Sequence, residues 1–305
     1  MKINFKNIKT ASVLALAAVL LNIGCTKADY GDDFTEGDPP PVPGGFTNSS
    51  QVAAANLLAY WNFDGSNKEI KSSIAPTVES NATFVAGIKG QALRLNAGYV
   101  LYPTISALSG ANAISSVTVS MWVNFANNGS QASEFFALTQ APAAQTDWLT
   151  ILNVAAETGR PLGSENLVFH SWIGSYPGGN RSGGDNINDY GNPGVDFQLV
   201  PKANQWVQYM MRYDGVAETI DLFANNIRVS NNNFRVRTGL GPIISPTPTQ
   251  VLLGGFPTIA TGFPLSGNQS WQALLTGSID ELRVYSKALT DVEISALYQL
   301  EKQGR

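Results

Sequence analysis

Across Val117–Phe125, the residues Val119, Met121, Val123 and Phe125 alternate with Thr118, Ser120, Trp122 and Asn124. A period of two sends the two sets to opposite faces of a strand. The apolar face of such a strand must be covered by another layer. Further β-branched and aromatic segments lie at 57–63, 91–95, 99–102, 134–139, 148–154, 166–172, 206–213, 218–224, 250–254 and 275–285. Asn225-Asn226, between 218–224 and 227–229, reads as a tight hairpin turn, because Asn tolerates positive φ. One stretch has helical spacing: the capping box Thr290-Asp291-Val292-Glu293, followed by Ile294, Leu297, Tyr298 and Leu300. The pattern predicts an all-β chain, two packed antiparallel sheets with a short C-terminal helix.

Composition removes several function classes. Charged residues make up 14% of the 305, against about 25% in average soluble domains. Neutral polar residues, with 29 Gly and 16 Pro, must cover the surface instead. The net charge is −4 and no basic run is present, so nucleic acid is set aside as a partner. A single Cys excludes an intrachain disulfide, and one Cys with one His cannot build a zinc site. The lone His also leaves little room for His-based catalysis.

Three regions differ along the chain. Lys2, Lys6 and Lys9 precede an apolar run over 11–21, the order of a signal peptide and too short to span a bilayer as a mature helix. Asn22-Ile23-Gly24-Cys25 resembles the lipobox of bacterial lipoproteins, with Asn22 where that motif usually has Leu. The resemblance implies a signal peptide over 1–24, acylation of Cys25, and an outer-membrane protein facing the surface or the periplasm. Contact with the membrane would then run through the lipid anchor alone. Asp29, Asp32 and Asp33 resemble the surface-export signal of Bacteroidota lipoproteins. From 25 to 50 the chain is rich in Pro and Gly and poor in apolar residues, so it reads as a tether. Residues 51–305 read as one domain.

Five segments of that domain share a family likeness. They are Leu58-Ala59-Tyr60-Trp61-Asn62-Phe63-Asp64-Gly65, Gly90-Gln91-Ala92-Leu93-Arg94-Leu95, Val117–Val123, Trp206-Val207-Gln208 through Tyr213-Asp214-Gly215, and Gly277–Tyr285 with the capping box. In this order they resemble the laminin-G-like jelly-roll domains of the concanavalin A-like lectin/glucanase superfamily. The resemblance implies a two-sheet jelly-roll sandwich, with Trp61, Phe63, Trp206 and Leu282 in the core. Trp122, in phase with Thr118 and Ser120, is expected under a loop or on the floor of a concave face. Residues 141–204 match nothing specific.

Candidate site residues follow. Asp280 shares a strand phase with Leu282 and Val284, so its carboxylate needs a partner: backbone N–H groups, a hydroxyl or a cation. Relatives in the superfamily often carry a structural Ca²⁺ joining first and last strands, which would make Asp64 and Asp280 its ligands. The Glu-x-Asp-x-x-Glu strand of laminarinase-type relatives is absent, and Glu218 and Asp221 have the wrong spacing to replace it. His170, near Trp172, reads as a surface or packing residue, with service in a lyase as the sharper alternative.

Trp148, Trp172, Tyr176, Tyr190 and Trp271 lie outside the family segments. With the Gly- and Asn-rich loop 177–185 they form the expected ligand face. The expectation is therefore a non-catalytic module that binds a glycan or polysaccharide. The alternatives are an adhesin or structural protein-binding module, and a glycoside hydrolase or lyase of the same fold.

Overall fold

The computed structural model describes residues 40–157 and 164–305. The leader and Cys25 lie outside the described residues. Within them the strands are β1 (Leu57–Trp61), β2 (Val78–Ala86), β3 (Gln91–Leu101), β4 (Val117–Phe125), β5 (Ala132–Gln140), β6 (Leu152–Ala156) and β7 (Phe169–Ser175). There follow β8 (Ser182–Ile187), β9 (Val207–Asp214), β10 (Thr219–Ala224), β11 (Ile227–Arg228), β12 (Thr249–Leu253), β13 (Gln272–Ala273), β14 (Leu275–Tyr285) and the helix α1 (Asp291–Lys302).

Hydrogen bonding links them in the order β11-β10-β9-β4-β14-β3-β12-β5-β6-β7-β8, with β1 on β14, β2 on β3 and β13 on β5. The pairings are antiparallel except for the short β13–β5 contact. The sheet curls until its two halves face each other. Phe169 of β7 stacks on Tyr209 of β9 with ring centroids 4.0 Å apart, and Phe135 of β5 meets the same Tyr209 edge-on at 6.2 Å. Val119, Met121 and Val123 of β4 share this core with Leu152 and Val154 of β6. A core aromatic removes ~150–250 Å² from water, so these contacts hold the two layers together.

The alternation in Val117–Phe125 yields β4 with the predicted ends, and β14 also matches its predicted span. Trp61, Phe63 and Leu282 are fully buried. Trp206 is not a core residue: it is half-buried, one residue before β9, and out of phase with the core-facing Val207, Tyr209, Met211 and Tyr213. Besides the two-residue β13, two strands escape the sequence pattern. β2 is a largely exposed outer strand, and β8, inside the expected ligand loop, reads Ser-Gly-Gly-Asp-Asn-Ile. β8 is held by backbone pairing to β7 over six positions, which needs no β-branched side chains.

The phase argument for Asp280 also needs correction. β4 pairs β14 along its length, but the other edge pairs β3 up to Ile279 and β1 from Leu282. A bulge at this branch puts Glu281 at φ +48° and shifts the register between Asp280 and Arg283. Ile279 and Leu282 therefore both reach the core, and Asp280 is turned into the fork between β1 and β3.

The helix begins as expected: Thr290 Oγ1 accepts from Glu293 N, and Glu293 Oε2 accepts from Thr290 N at 2.8 Å. It lies over the outer face of β4, β9 and β14. Trp122 is thus neither under a loop nor on a concave floor. It stacks on Tyr298 at 5.7 Å and donates from Nε1 to Glu301 Oε2 at 2.8 Å. Gln208 donates to the same oxygen at 2.9 Å, Arg283 Nε donates to Glu301 Oε1 at 2.7 Å, and Arg283 also pairs with Glu281. Residues 40–50, assigned to the tether by composition, belong to this layer. Val42 is buried with Phe46 against Leu297 and Leu300, and Arg305 donates to the carbonyls of Pro40 and Thr47. The packed unit runs Pro40–Arg305.

Candidate functional site

The outer face of the other layer is built from the strand phases that do not enter the core. Glu134 of β5 pairs with Ala155, Ala155 with His170, Asn153 with Trp172, and Trp172 with Asp185. Directly paired residues share a face, so Glu134, Asn153, His170, Trp172 and Asp185 lie on one surface.

Loops bring three more rings over it. Trp148 meets Trp172 at 5.5 Å, Trp271 at 4.9 Å and Phe256 at 6.3 Å, each near perpendicular. Trp148, Trp172 and Trp271 are half-buried. Three of the five expected ligand aromatics are therefore gathered in one cluster, together with Phe256. Sequence reasoning missed Phe256, which follows Gly254-Gly255 and reads as part of a turn. The rings pack edge to face on one another and roof the strands below. Trp172 also lies 3.6 Å, centroid to centroid, from His170.

Beneath this roof Glu134 is fully buried, and its Oε1 accepts from Asn153 Nδ2 at 2.8 Å. Burial pushes the Glu134 carboxyl well above its ordinary range. His170 sits between two carboxylates, Nδ1 2.9 Å from Glu157 and Nε2 2.9 Å from Asp185. Burial raises the Asp185 carboxyl, but His170 and Arg237 outweigh it and hold the group below the usual value. Both ring nitrogens of His170 are engaged, which fits a positioned packing residue better than a base facing a ligand.

Tyr176 belongs to a different feature. Where the β5–β6 and β7–β8 connections meet the segment before β12, a cleft of about 520 Å³ opens. Gln140, Asp147, Tyr176, Asn180, Arg181 and Ser245 are among its walls. The β5–β6 wall is fixed by Gln145, whose Oε1 accepts from Gln140 N and whose Nε2 donates to the carbonyls of Asp147 and Leu149. Tyr176 N donates to Ile244 O at 2.9 Å, and Gln140 Nε2 donates to the Tyr176 hydroxyl at 3.3 Å. Burial raises the pKa of this phenol, so it stays neutral and can donate. Asp147 and Trp148 are neighbours in one turn, the first lining the cleft and the second joining the aromatic cluster.

The remaining expected residues lie elsewhere. Tyr190 is 49% exposed and packs edge-on against Phe234 at 6.1 Å, away from both features. Asp64 and Asp280 flank the β2–β3 turn. Asp280 Oδ2 accepts from the N–H groups of Ile88 and Lys89, and its Oδ1 from that of Glu281. Asp64 Oδ1 accepts from Gln91 N at 2.7 Å and Oδ2 from Asn62 Nδ2 at 2.9 Å. The turn fits because Gly87 and Gly90 have no side chains. A Cβ there would lie 2.3 Å from Asp280 Oδ2 and 2.0 Å from Asp64 Oδ1 respectively. Each of the four carboxylate oxygens accepts at least one N–H, so both groups have hydrogen-bond partners without an ion. Burial pushes Asp280 up to about 8. Among the described residues no group of three His, Cys, Asp or Glu side chains converges as a metal site.

No protein-family model and no curated protein sequence matches this chain. Solved structures do. A mutant of HCR/D has 12% identity over 81% of this chain and 52% of its own, with a TM-score of 0.52. The binding domain of Botulinum Neurotoxin DC in complex with SialylT has 12% identity over 82% and 52%, with a TM-score of 0.50. The fold is a jelly-roll β-sandwich. Domain 4 of AbnA, a GH43 extracellular arabinanase from Geobacillus stearothermophilus in complex with arabinotriose, has 19% identity over 80% and 98%, with a TM-score of 0.49. The chain spans about half the length of the HCR/D and neurotoxin chains it matches.

Proposed function

We propose that this protein is a lipid-anchored, non-catalytic glycan-binding module of the bacterial outer membrane, with the Tyr176 cleft as its binding site. The cleft itself carries the reading: one aromatic ring stands among amide, carboxylate and guanidinium groups in a volume typical of small-ligand sites, ~300–1,000 Å³. A sugar ring offers apolar C–H faces and a rim of hydroxyls. Tyr176 suits the first, and Gln140, Asp147 and Asn180 suit the second. The neurotoxin DC binding domain, whose fold this chain shares, is in complex with SialylT, in keeping with a ligand of this class.

Binding without turnover is favoured by the acid count at the cleft. Hydrolysis by the usual route needs two carboxyl groups across the bond, and Asp147 is the one carboxylate among the described lining residues. Anchoring follows from the lipobox-like Cys25. Changing Cys25→Ser is expected to release the protein from the membrane fraction and abolish acyl labelling. Unchanged fractionation, with no acyl label on the wild type, contradicts it.

A glycan array probed with the full chain, followed by chromatography of each bound oligosaccharide, tests the binding reading. Retention of an intact glycan supports it. Shortened products overturn the non-catalytic half. An array without a hit overturns the whole and favours the adhesin alternative.

A further inference from the structure

We propose that the Tyr176 cleft selects glycans bearing an isolated carboxylate, a hexuronic acid residue within an otherwise neutral chain, and that Arg181 reads that carboxylate. The inference rests on the glycan-binding reading and adds the class of sugar.

The argument begins with two glycines. Gly174 of β7 and Gly183 of β8 are a cross-strand pair. A Cβ at Gly174 would lie 2.6 Å from Thr150 O and 3.0 Å from Arg181 Nε. One at Gly183 would lie 2.6 Å from Ile173 O and 2.9 Å from Arg181 Nη1. The guanidinium thus lies across a shelf that exists only because both positions lack side chains. Trp172, Gly174 and Tyr176 follow one another in the same phase, so the shelf leads from the aromatic cluster into the cleft.

Arg181 is exposed above this shelf, and its hydrogen bond and charge act on the Tyr176 phenol that lines the same cleft. No carboxylate lies within ion-pair distance of Arg181 among the described residues. Arg212, Arg235, Arg237 and Arg283 each pair with an acid, and of the described arginines without one, Arg94, Arg181 and Arg228, only Arg181 lines the cleft. A positioned, exposed and unpaired guanidinium in a cleft has the planar fork that matches a carboxylate.

The rest of the cleft limits the anion. Asp147 lines the same walls, so a doubly charged phosphate group is disfavoured relative to a single carboxylate. The net charge of −4 gives a polyanion no long-range attraction. Recognition is therefore of one carboxylate at short range, with weak dependence on salt.

The experiment titrates the full chain with a panel of hexuronate trisaccharides, each paired with its carboxyl-reduced neutral form. Wild type is expected to prefer at least one acid form by about tenfold, consistent with a hydrogen-bonded charge pair. Arg181→Ala should remove that preference at unchanged melting temperature, and Arg181→Lys should restore it only in part, keeping the charge without the fork. Equal affinity for acid and neutral forms, indifferent to Arg181→Ala, overturns the carboxylate assignment and leaves glycan binding standing. Binding of neither form in any pair overturns the carboxylate assignment alone, because the glycan array decides whether glycan binding stands.

Discussion

The two outer faces of this sandwich start from the same strand alternation and end in opposite states. Over β4, β9 and β14 a helix and residues 40–50 close down, and Arg283 bridges Glu281 and Glu301 in the interior. Over β5 to β8 no α-helix arrives among the described residues. Loops supply half-buried tryptophans, and at one end they leave a polar cleft around Tyr176. The first face has exchanged solvent for a closed charge network, which tolerates little change. The second keeps aromatic and hydrogen-bonding groups within reach of water, where a ligand can use them. A buried polar cluster and an exposed one therefore carry different meanings even when their residue types agree.

The largest difference between the faces should appear on breaking the closed one. Glu301→Ala leaves Arg283, Trp122 and Gln208 without their shared acceptor, and is expected to cost about 3–5 kcal/mol in denaturant unfolding. A cost below about 1 kcal/mol would mean that the helix holds without the network. On the open face, Trp172→Ala removes a half-buried ring that touches His170 and Trp148, with an expected loss of about 1–3 kcal/mol. An unchanged melting temperature would show that the ring is free to serve a ligand, as its position in the sequence suggests.

A smaller effect concerns pH. The raised pKa of Glu134 means that the folded state keeps a proton that the unfolded chain releases near pH 4.3 or so. Its contribution to stability is complete below that value and declines as pH rises toward the folded-state pKa. Glu134→Gln, which mimics the neutral acid, should flatten this slope in melts taken from pH 4 upward. A slope identical to wild type would assign the pH dependence to Asp280 or Glu301 instead. The smallest expected effect is none: EDTA should leave the melting temperature unmoved, because N–H donors occupy the oxygens of Asp64 and Asp280. A fall on chelation would restore calcium to the turn between β2 and β3.

What the sequence shows depends on how each part is held. β4, β14 and α1 are legible because their cores and caps are written in side-chain periodicity. β8 is not, because a strand of Ser, Gly, Asp and Asn is specified by its neighbour β7. Asp280 was found as a residue needing a partner. Its partners, the amides of Ile88 and Lys89, are almost two hundred residues away and carry no side-chain signature. Trp148, Trp172 and Trp271 were separable from the core by their placement outside the family segments. That they would cluster, while Tyr176 opens a cleft and Tyr190 goes elsewhere, depends on loop paths that no local pattern encodes. Arg181 is legible as one residue of a turn-rich loop whose Asn, Asp and Arg suit sugar hydroxyls, but not as a group set apart from them. The pair Gly174 and Gly183 that positions it is visible only once β7 and β8 are side by side.

The contrast between a sealed face and a receptive one is tested most directly by hydrogen exchange of the full chain with and without a glycan recovered from the array. The account predicts new protection in residues 140–147 and 176–181, with α1 exchanging as slowly and as unchanged as before. Protection that appears around Tyr190 and Phe234, or over α1, with none at the cleft, would contradict it.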